Sequence, residues 1–285
     1  MKNTKQKPII VNSYQDEWEF VYPPEIDNEV TYNQYWEGVE LLDYDDTGAE
    51  NIFKSLIKMH PYYIDAYVHL SIAFKNQKKL FESFITAEKA YSLGKSCFPK
   101  EFKSSKHHLP WGCLDNRPFL RACHVLGMEH QDKKEYENAI SLYNEILMLN
   151  NNDNQGVRYL LLECFLSLKD FDQAEKLLKK HDDDWGIEFV YGKLIVAIIK
   201  NKAEKIDAIL NDAFKRNKFV LEEIIKAKHV APSPFRIPGE PYLDAGNPTG
   251  SVQEAYDYWK RNKSTLKDKR ILSIVAKYLD AMKGV

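Results

Sequence analysis

A unit of about 34 residues returns along this chain, and that recurrence limits the fold more than any single residue does. Ala90, Ala139 and Ala174 each lie in a stretch whose apolar residues are spaced three and four apart, the mark of an amphipathic helix. Aligning these stretches places unit starts at Val30, Ile64, Leu120, Gln155 and Phe189. The first two starts are 34 apart, the last two 34, and the third and fourth 35. A helical hairpin of that length cannot bury its own apolar face. Neighbouring units must therefore stack, which makes an α-solenoid. Gly and Pro number only 12 each, too few turn residues for an all-β chain. The expected fold is all-α: a solenoid of about five helix-turn-helix repeats with a C-terminal helical cap.

The contents of the unit resemble the tetratricopeptide repeat, a helix-turn-helix of 34 residues. The unit at Ile64 carries Tyr67, Leu70, Ser71, Phe74, Ser83, Ala87 and Ala90 at that family's marked positions. The unit at Leu120 carries Cys123, Leu126, Gly127, His130, Ala139 and Tyr143, and the unit at Gln155 carries Leu161, Phe165, Ala174 and Leu178. At Val30 the second helix matches better, through Ala49, Phe53 and Pro61. At Phe189 only Ile195 and Ala208 stay in register. Small residues at the eighth and twentieth positions let two helices approach, and large ones fill the seam. Three further strings are similar to a bacterial subgroup of these proteins: Leu114-Asp115-Asn116-Arg117-Pro118-Phe119, Asn152-Asp153-Asn154-Gln155-Gly156-Val157-Arg158-Tyr159, and Ala255 to Trp259.

The starts at Ile64 and Leu120 are 56 apart, so about 22 extra residues lie between the second and third units. Five prolines between Ala231 and Gly250 break the pattern a second time. The expected organisation is an extended N-terminal arm over 1–29, repeats over 30–97, an inserted loop over 98–119, repeats over 120–230, a Pro-rich segment over 231–250 and a helical cap over 251–285.

The resemblance implies that inward-facing side chains of the first helices bind an extended peptide. Along that face the fifth position reads Gln34, Val68, His124, Tyr159 and Lys193, and the ninth reads Gly38, Ile72, Met128, Glu163 and Ala197. Arg121, His124, Tyr159, Glu163 and Lys193 are the expected partner contacts. Of these, only Lys193 suits the carboxylate clamp that some members of the family use. A second candidate is the start of the fourth unit, where Asp153 or Asn154 can cap a helix beside Gln155, Gly156 and Arg158. It reads either as an anion site or as a turn network tying Arg158 to Asp115 or Asp153. Asp115 and Arg117, before Pro118, mark another helix start, and Arg117 and Arg121 are spaced to share a face.

A net charge of -2 lacks the basic excess of a nucleic-acid binder. The N-terminus has no apolar leader, and no apolar run is long enough to span a bilayer. The four cysteines, Cys97, Cys113, Cys123 and Cys164, include no C-x-x-C pair and read as reduced thiols, so a cytoplasmic chain is expected. His107, His108, Cys113, Cys123 and His124 are metal-ligand types without metal-ligand spacing, and no metal or cofactor is expected. Nucleotide loops, zinc-protease helices and serine elbows are missing from the sequence. The leading expectation is a non-catalytic scaffold for a protein or peptide partner. The alternatives are a peptide-sensing regulator acting through a separate effector chain, and a metal-dependent hydrolase built on His107, His108, Asp115 and His124.

Overall fold

The computed structural model describes residues 6–235 and 246–283. Among them are twelve α-helices and one two-stranded hairpin, so the class is the expected all-α helical repeat. The chain divides into two compact units, residues 1–158 and 159–285.

The first unit holds three helical pairs: α1 (Glu29–Leu41) with α2 (Asp46–Met59), α3 (Ile64–Asn76) with α4 (Leu80–Lys95), and α5 (Arg117–Asp132) with α6 (Tyr136–Leu149). The second holds α7 (Val157–Leu168) with α8 (Phe171–Lys180), α9 (Ile187–Ile199) with α10 (Ala203–Ile225), and α11 (Val252–Leu266) with α12 (Lys269–Lys283); the division falls in the first turn of α7.

Four pairs bend at the same kind of elbow. One residue takes a left-handed backbone: Lys78 (φ 64), Lys134 (φ 62), Lys169 (φ 59) and Asn201 (φ 54). The next amide then bonds to the carbonyl five residues back, Lys79 to Phe74, Glu135 to His130, Asp170 to Phe165 and Lys202 to Ala197, each at 2.9 Å. These bonds satisfy carbonyls that a helix end leaves open. The elbows also correct the register. Lys78, Lys134 and Lys169 each lie 14 residues after the expected starts Ile64, Leu120 and Gln155. Counted back from Asn201, the fifth unit starts at Ile187, the first residue of α9, and not at Phe189.

Close approach within a pair is visible where small residues were expected. The Ser83 hydroxyl donates to the Ser71 carbonyl at 2.8 Å. A Cβ on Gly127 would lie 2.5 Å from the Tyr143 ring. Gly38, at the ninth position where no small residue is expected, also meets Phe53, at 2.9 Å. Gly38, Val68 and Ala197 are buried, which removes them from any open inner face. Tyr35, Phe53, Leu56, Leu70 and Phe74 form the core of the first two pairs.

The N-terminal arm is a hairpin. Strands β1 (Ile9–Tyr14) and β2 (Glu17–Val21) pair antiparallel, with a bulge between Asn12 and Tyr14. Phe20 is buried among Tyr22, Phe98 and Phe119. The insertion holds the hairpin by its backbone: Trp18 donates to His108 at 2.9 Å and His108 to Asp16 at 2.8 Å. The fully buried Asn116 accepts from the Phe20 amide at 3.0 Å and donates to the Trp18 carbonyl at 3.1 Å. Leu109 donates to Leu149 at the end of α6. Because α5 begins at Arg117, the insertion ends before the expected residue 119, in a 3-10 turn over Leu114–Asn116.

In the second unit, α10 is broken at Asn217 (φ -165, ψ 95). No proline sits there. The break is made by partners. The single Tyr191 hydroxyl proton lies within donating range of two carbonyls beside the break, Ala213 (3.0 Å) and Asn217 (2.6 Å). The Asn217 side chain accepts from the Phe219 amide at 3.1 Å, capping the second half of the helix. The closing pair α11 and α12 joins without a left-handed residue; Asp268 caps α12 instead, accepting from the Arg270 amide at 2.9 Å. Residues 236–245 of the Pro-rich segment lie outside the described residues.

Candidate functional site

Arg216, beside the kink in α10, and Arg261 on α11 line a polar cleft of about 320 Å³ in the second unit. Its walls are Tyr159 on α7, the entry of α9 at Gly186 and Glu188, Arg216 beside the kink, and Glu254, Asp257 and Arg261 on α11. Ser251 caps α11 by accepting from the Glu254 amide at 3.1 Å, and Glu254 in turn accepts from the Gly250 amide at 2.8 Å. This Ser-x-x-Glu arrangement is close to a capping box. It aims the Glu254 carboxylate back at α10.

There Glu254 meets the Arg216 guanidinium in a two-point bond, 2.6 and 3.0 Å. Arg216 also donates to the Trp185 carbonyl at 3.0 Å, and Asn217 adds a bond to Glu254 at 2.9 Å. Burial works to raise the Glu254 pKa. The Arg216, Gly250 and Asn217 bonds outweigh it and hold the carboxyl below its ordinary value. Arg261 bridges Glu163 (2.7 Å) and Glu188 (2.9 Å). Its pKa is raised, because those carboxylates outweigh the opposing effect of burial. Tyr159 donates to Asp184 at 3.1 Å, and Asp184 accepts from the Gly186 amide at 2.7 Å, fixing the entry of α9. Asn247 donates to Asp257.

Both guanidiniums are thus bridged to carboxylates. The lining carries Glu188, Glu254 and Asp257 against two arginines, with Glu163 and Asp184 bonded just behind, so its balance is acidic. No Cys, Ser or His is among the lining residues. The set can hold a cation or a row of hydrogen-bond donors. Behind it the Tyr258 hydroxyl is buried and, among the described residues, has no hydrogen-bond partner.

The expected contact residues fall in different places. Tyr159 lines the cleft and Glu163 is bonded to its Arg261, whereas Lys193 pairs with Asp182 at 3.2 Å. Arg121 and His124 belong to the first unit. Arg121 forms a two-point ion pair with the buried Asp65, which also accepts from the Tyr35 hydroxyl at 3.0 Å. Burial lowers the His124 pKa, and its ring meets the Gln155 side chain at 3.3 Å. At the start of α7, Asp153 accepts from the Val157 amide (2.8 Å) and pairs with the Arg158 guanidinium (2.8 Å). Arg117 donates to the Trp111 carbonyl at 3.0 Å and lies over its ring. Asp115 and Asn154 are exposed, while Asn116, expected only as part of the helix start before Pro118, is buried and holds the hairpin.

The hydrolase residues do not converge. His107 accepts from the Lys103 amide, His108 meets the Met148 carbonyl, and His124 meets Gln155. Among the described residues no three His, Cys, Asp or Glu side chains form a metal-holding group. No helix among them is long and apolar enough to cross a membrane.

A family model described as "Tcf25: Transcriptional repressor TCF25" matches residues 27–282. The chain belongs to the Tcf25 family. The match begins after the hairpin and runs from before α1 into the last turn of α12. Both strings around Arg117 and Arg158 lie within the matched residues. A search of curated proteins finds no match. Solved structures similar to this Tcf25-family chain include a tetratricopeptide repeat protein from Parabacteroides merdae, with 17% identity, 65% of each chain covered and a TM-score of 0.49. The match therefore spans less than two thirds of that protein's length. YrrB, titled as a TPR protein with an unusual peptide-binding site, is 14% identical over 64% of this chain and 84% of its own, at a TM-score of 0.48. A putative kinesin light chain with TPR-like repeats from Podosopora anserina is 10% identical, covering 65% and 93%, also at 0.48.

Proposed function

We propose that this Tcf25-family chain is a non-catalytic scaffold that binds a protein segment presenting Lys or Arg side chains, and that the cleft walled by α9, α10 and α11 receives one of them. The observation that carries this reading is the acidic balance of the cleft after both arginines have been bridged. A cationic side chain entering there meets Asp257 and Glu188 without displacing either guanidinium, whereas an anion would have to break an existing bridge. Partner binding also suits the family's description as a transcriptional repressor. With a net charge of -2, repression would come through another chain and not through direct contact with DNA. The regulator that acts through a separate effector is then the same scaffold seen from its pathway.

The test is a set of peptides of equal length carrying Lys, Gln or Glu at one position, titrated against wild type and Asp257→Lys by calorimetry. Lys peptides should bind tightest, and Asp257→Lys should weaken them by about tenfold while the unfolding midpoint stays put. Equal binding of all three peptides, or turnover of any of them, would overturn the proposal.

A further inference from the structure

We propose that the outer edge of β1 pairs with the same edge of a second copy of this chain, joining two hairpins into one four-stranded antiparallel sheet. The pairing of β1 with β2 shows which backbone groups face outward. Ile9 lies opposite Val21, Ile10 opposite Phe20, Val11 opposite Glu19 and Asn12 opposite Trp18. The Phe20 and Trp18 amides turn away from β1, to the Asn116 side chain and the His108 carbonyl. In an antiparallel pair, opposed residues either bond to each other or both face away. The amides and carbonyls of Ile10 and Asn12 therefore point out from the far edge of β1. Among the described residues they have no hydrogen-bond partner. The insertion bonds to the β2 side of the hairpin, at Asp16 and Trp18.

Three features select a second copy as the occupant. The first is charge. No charged side chain lies between Ile9 and Tyr14, whereas edges that stay single commonly carry charges that repel another strand. A two-fold axis through Val11 sets no like charges face to face. The nearest carboxylates, Glu19 of each copy, stand three strand spacings apart, about 14 Å, where salt screens them. An acidic or basic strand would find no countercharge on β1. The second is the match of backbone groups. About that axis Ile10 of one copy meets Asn12 of the other, so every outward amide and carbonyl of both residues finds a partner. Pro8, which has no amide to offer, falls just outside the paired stretch. The third is apolar surface. Ile9 (54% exposed) and Val21 (41%) stand side by side on the outer face, and Val11 shares that face two residues along. Across the axis Val11 faces its own counterpart with Ile9 diagonal to it, which gathers these aliphatic side chains into one cluster. A lone two-stranded hairpin is marginal, and pairing doubles its strands. The hairpin precedes residue 27, where the family match begins, so the contact is additional to the family's shared region.

The experiment uses the full chain. Sedimentation velocity should show monomer giving way to dimer as concentration rises. Amide exchange at high concentration should slow at Ile10 and Asn12, the two outward amides, and these should exchange fast again on dilution. Val11→Lys and Val11→Glu should each weaken self-association by at least about tenfold, because the axis sets like charges opposite each other. An equal mixture of the two variants should dimerise again, which a merely misfolded hairpin would not do. Val11→Cys should cross-link to itself under mild oxidation, since facing residues of that pair bring their Cα atoms within disulfide range. Ile9→Cys, on the same face but about 13 Å from its counterpart, should not. The proposal falls if the wild-type chain stays monomeric at every concentration, or if it dimerises with the Ile10 and Asn12 amides still open. It falls too if the Val11→Lys chain dimerises as well as wild type, or if Ile9→Cys cross-links and Val11→Cys does not.

Discussion

Two buried tyrosines with rings 5.4 Å apart in the second unit do opposite things with their hydroxyls. The Tyr191 hydroxyl shares its proton between the Ala213 and Asn217 carbonyls beside the α10 kink, and the Tyr258 hydroxyl meets no acceptor among the described residues. A buried polar group without a partner costs stability, and removing one partner of a made bond costs more. Tyr191→Phe should therefore lower unfolding stability by about 1–3 kcal/mol, and Tyr258→Phe should leave it unchanged or raise it slightly, with chemical denaturation as the measurement. Equal losses in the two variants would show that the kink carbonyls do not depend on Tyr191. The same scale shows where sequence reading stopped. Arg121 stands out in the string as a cation on a helical face, but its partner Asp65 is a unit away, and only the fold brings the two within bonding range.

Elements were more legible than residues. Helix pairs repeat because their packing positions repeat, and Ser71, Ser83, Gly127 and Tyr143 meet as the spacing implies. The left-handed elbows repeat as well, yet three of the four use Lys, which carries no turn signature. Without a Gly to mark it, the elbow of the fifth unit leaves no sign in the sequence, and spacing alone puts that unit's start two residues late. Lys has a Cβ that crowds the backbone in this conformation, at a cost of about 1–2 kcal/mol. Lys78→Gly, Lys134→Gly and Lys169→Gly should each raise stability by up to about 1 kcal/mol, and Asn201→Gly by less, because Asn tolerates the turn. Thermal midpoints of the four variants give the comparison; a drop in the Lys series would count against the elbow geometry. The kink at Asn217 was not legible for a different reason. Its causes are tertiary: Tyr191, Ser251 and Glu254.

At the scale of the whole molecule, the helical-repeat class was readable throughout and the hairpin was not. Ile9-Ile10-Val11 and Trp18-Glu19-Phe20 alternate weakly on either side of Gln15-Asp16, and strands of five and six residues give little pattern to detect. An isolated hairpin is marginal in water. This one is held by residues about a hundred positions away, through His108 and Asn116. Asn116→Ala should leave the Phe20 amide and the Trp18 carbonyl unpaired and cost about 2–4 kcal/mol, with amide exchange of residues 9–21 accelerating while that of α3 and α4 stays slow. The helices of each repeat close over short distances, so each can form as it leaves the ribosome. The hairpin cannot. At about 5–20 residues per second, its strands wait roughly 5–20 seconds for Asn116 to be made, and during that interval two unpaired β edges and the Phe20 ring are open to any chaperone or neighbouring chain.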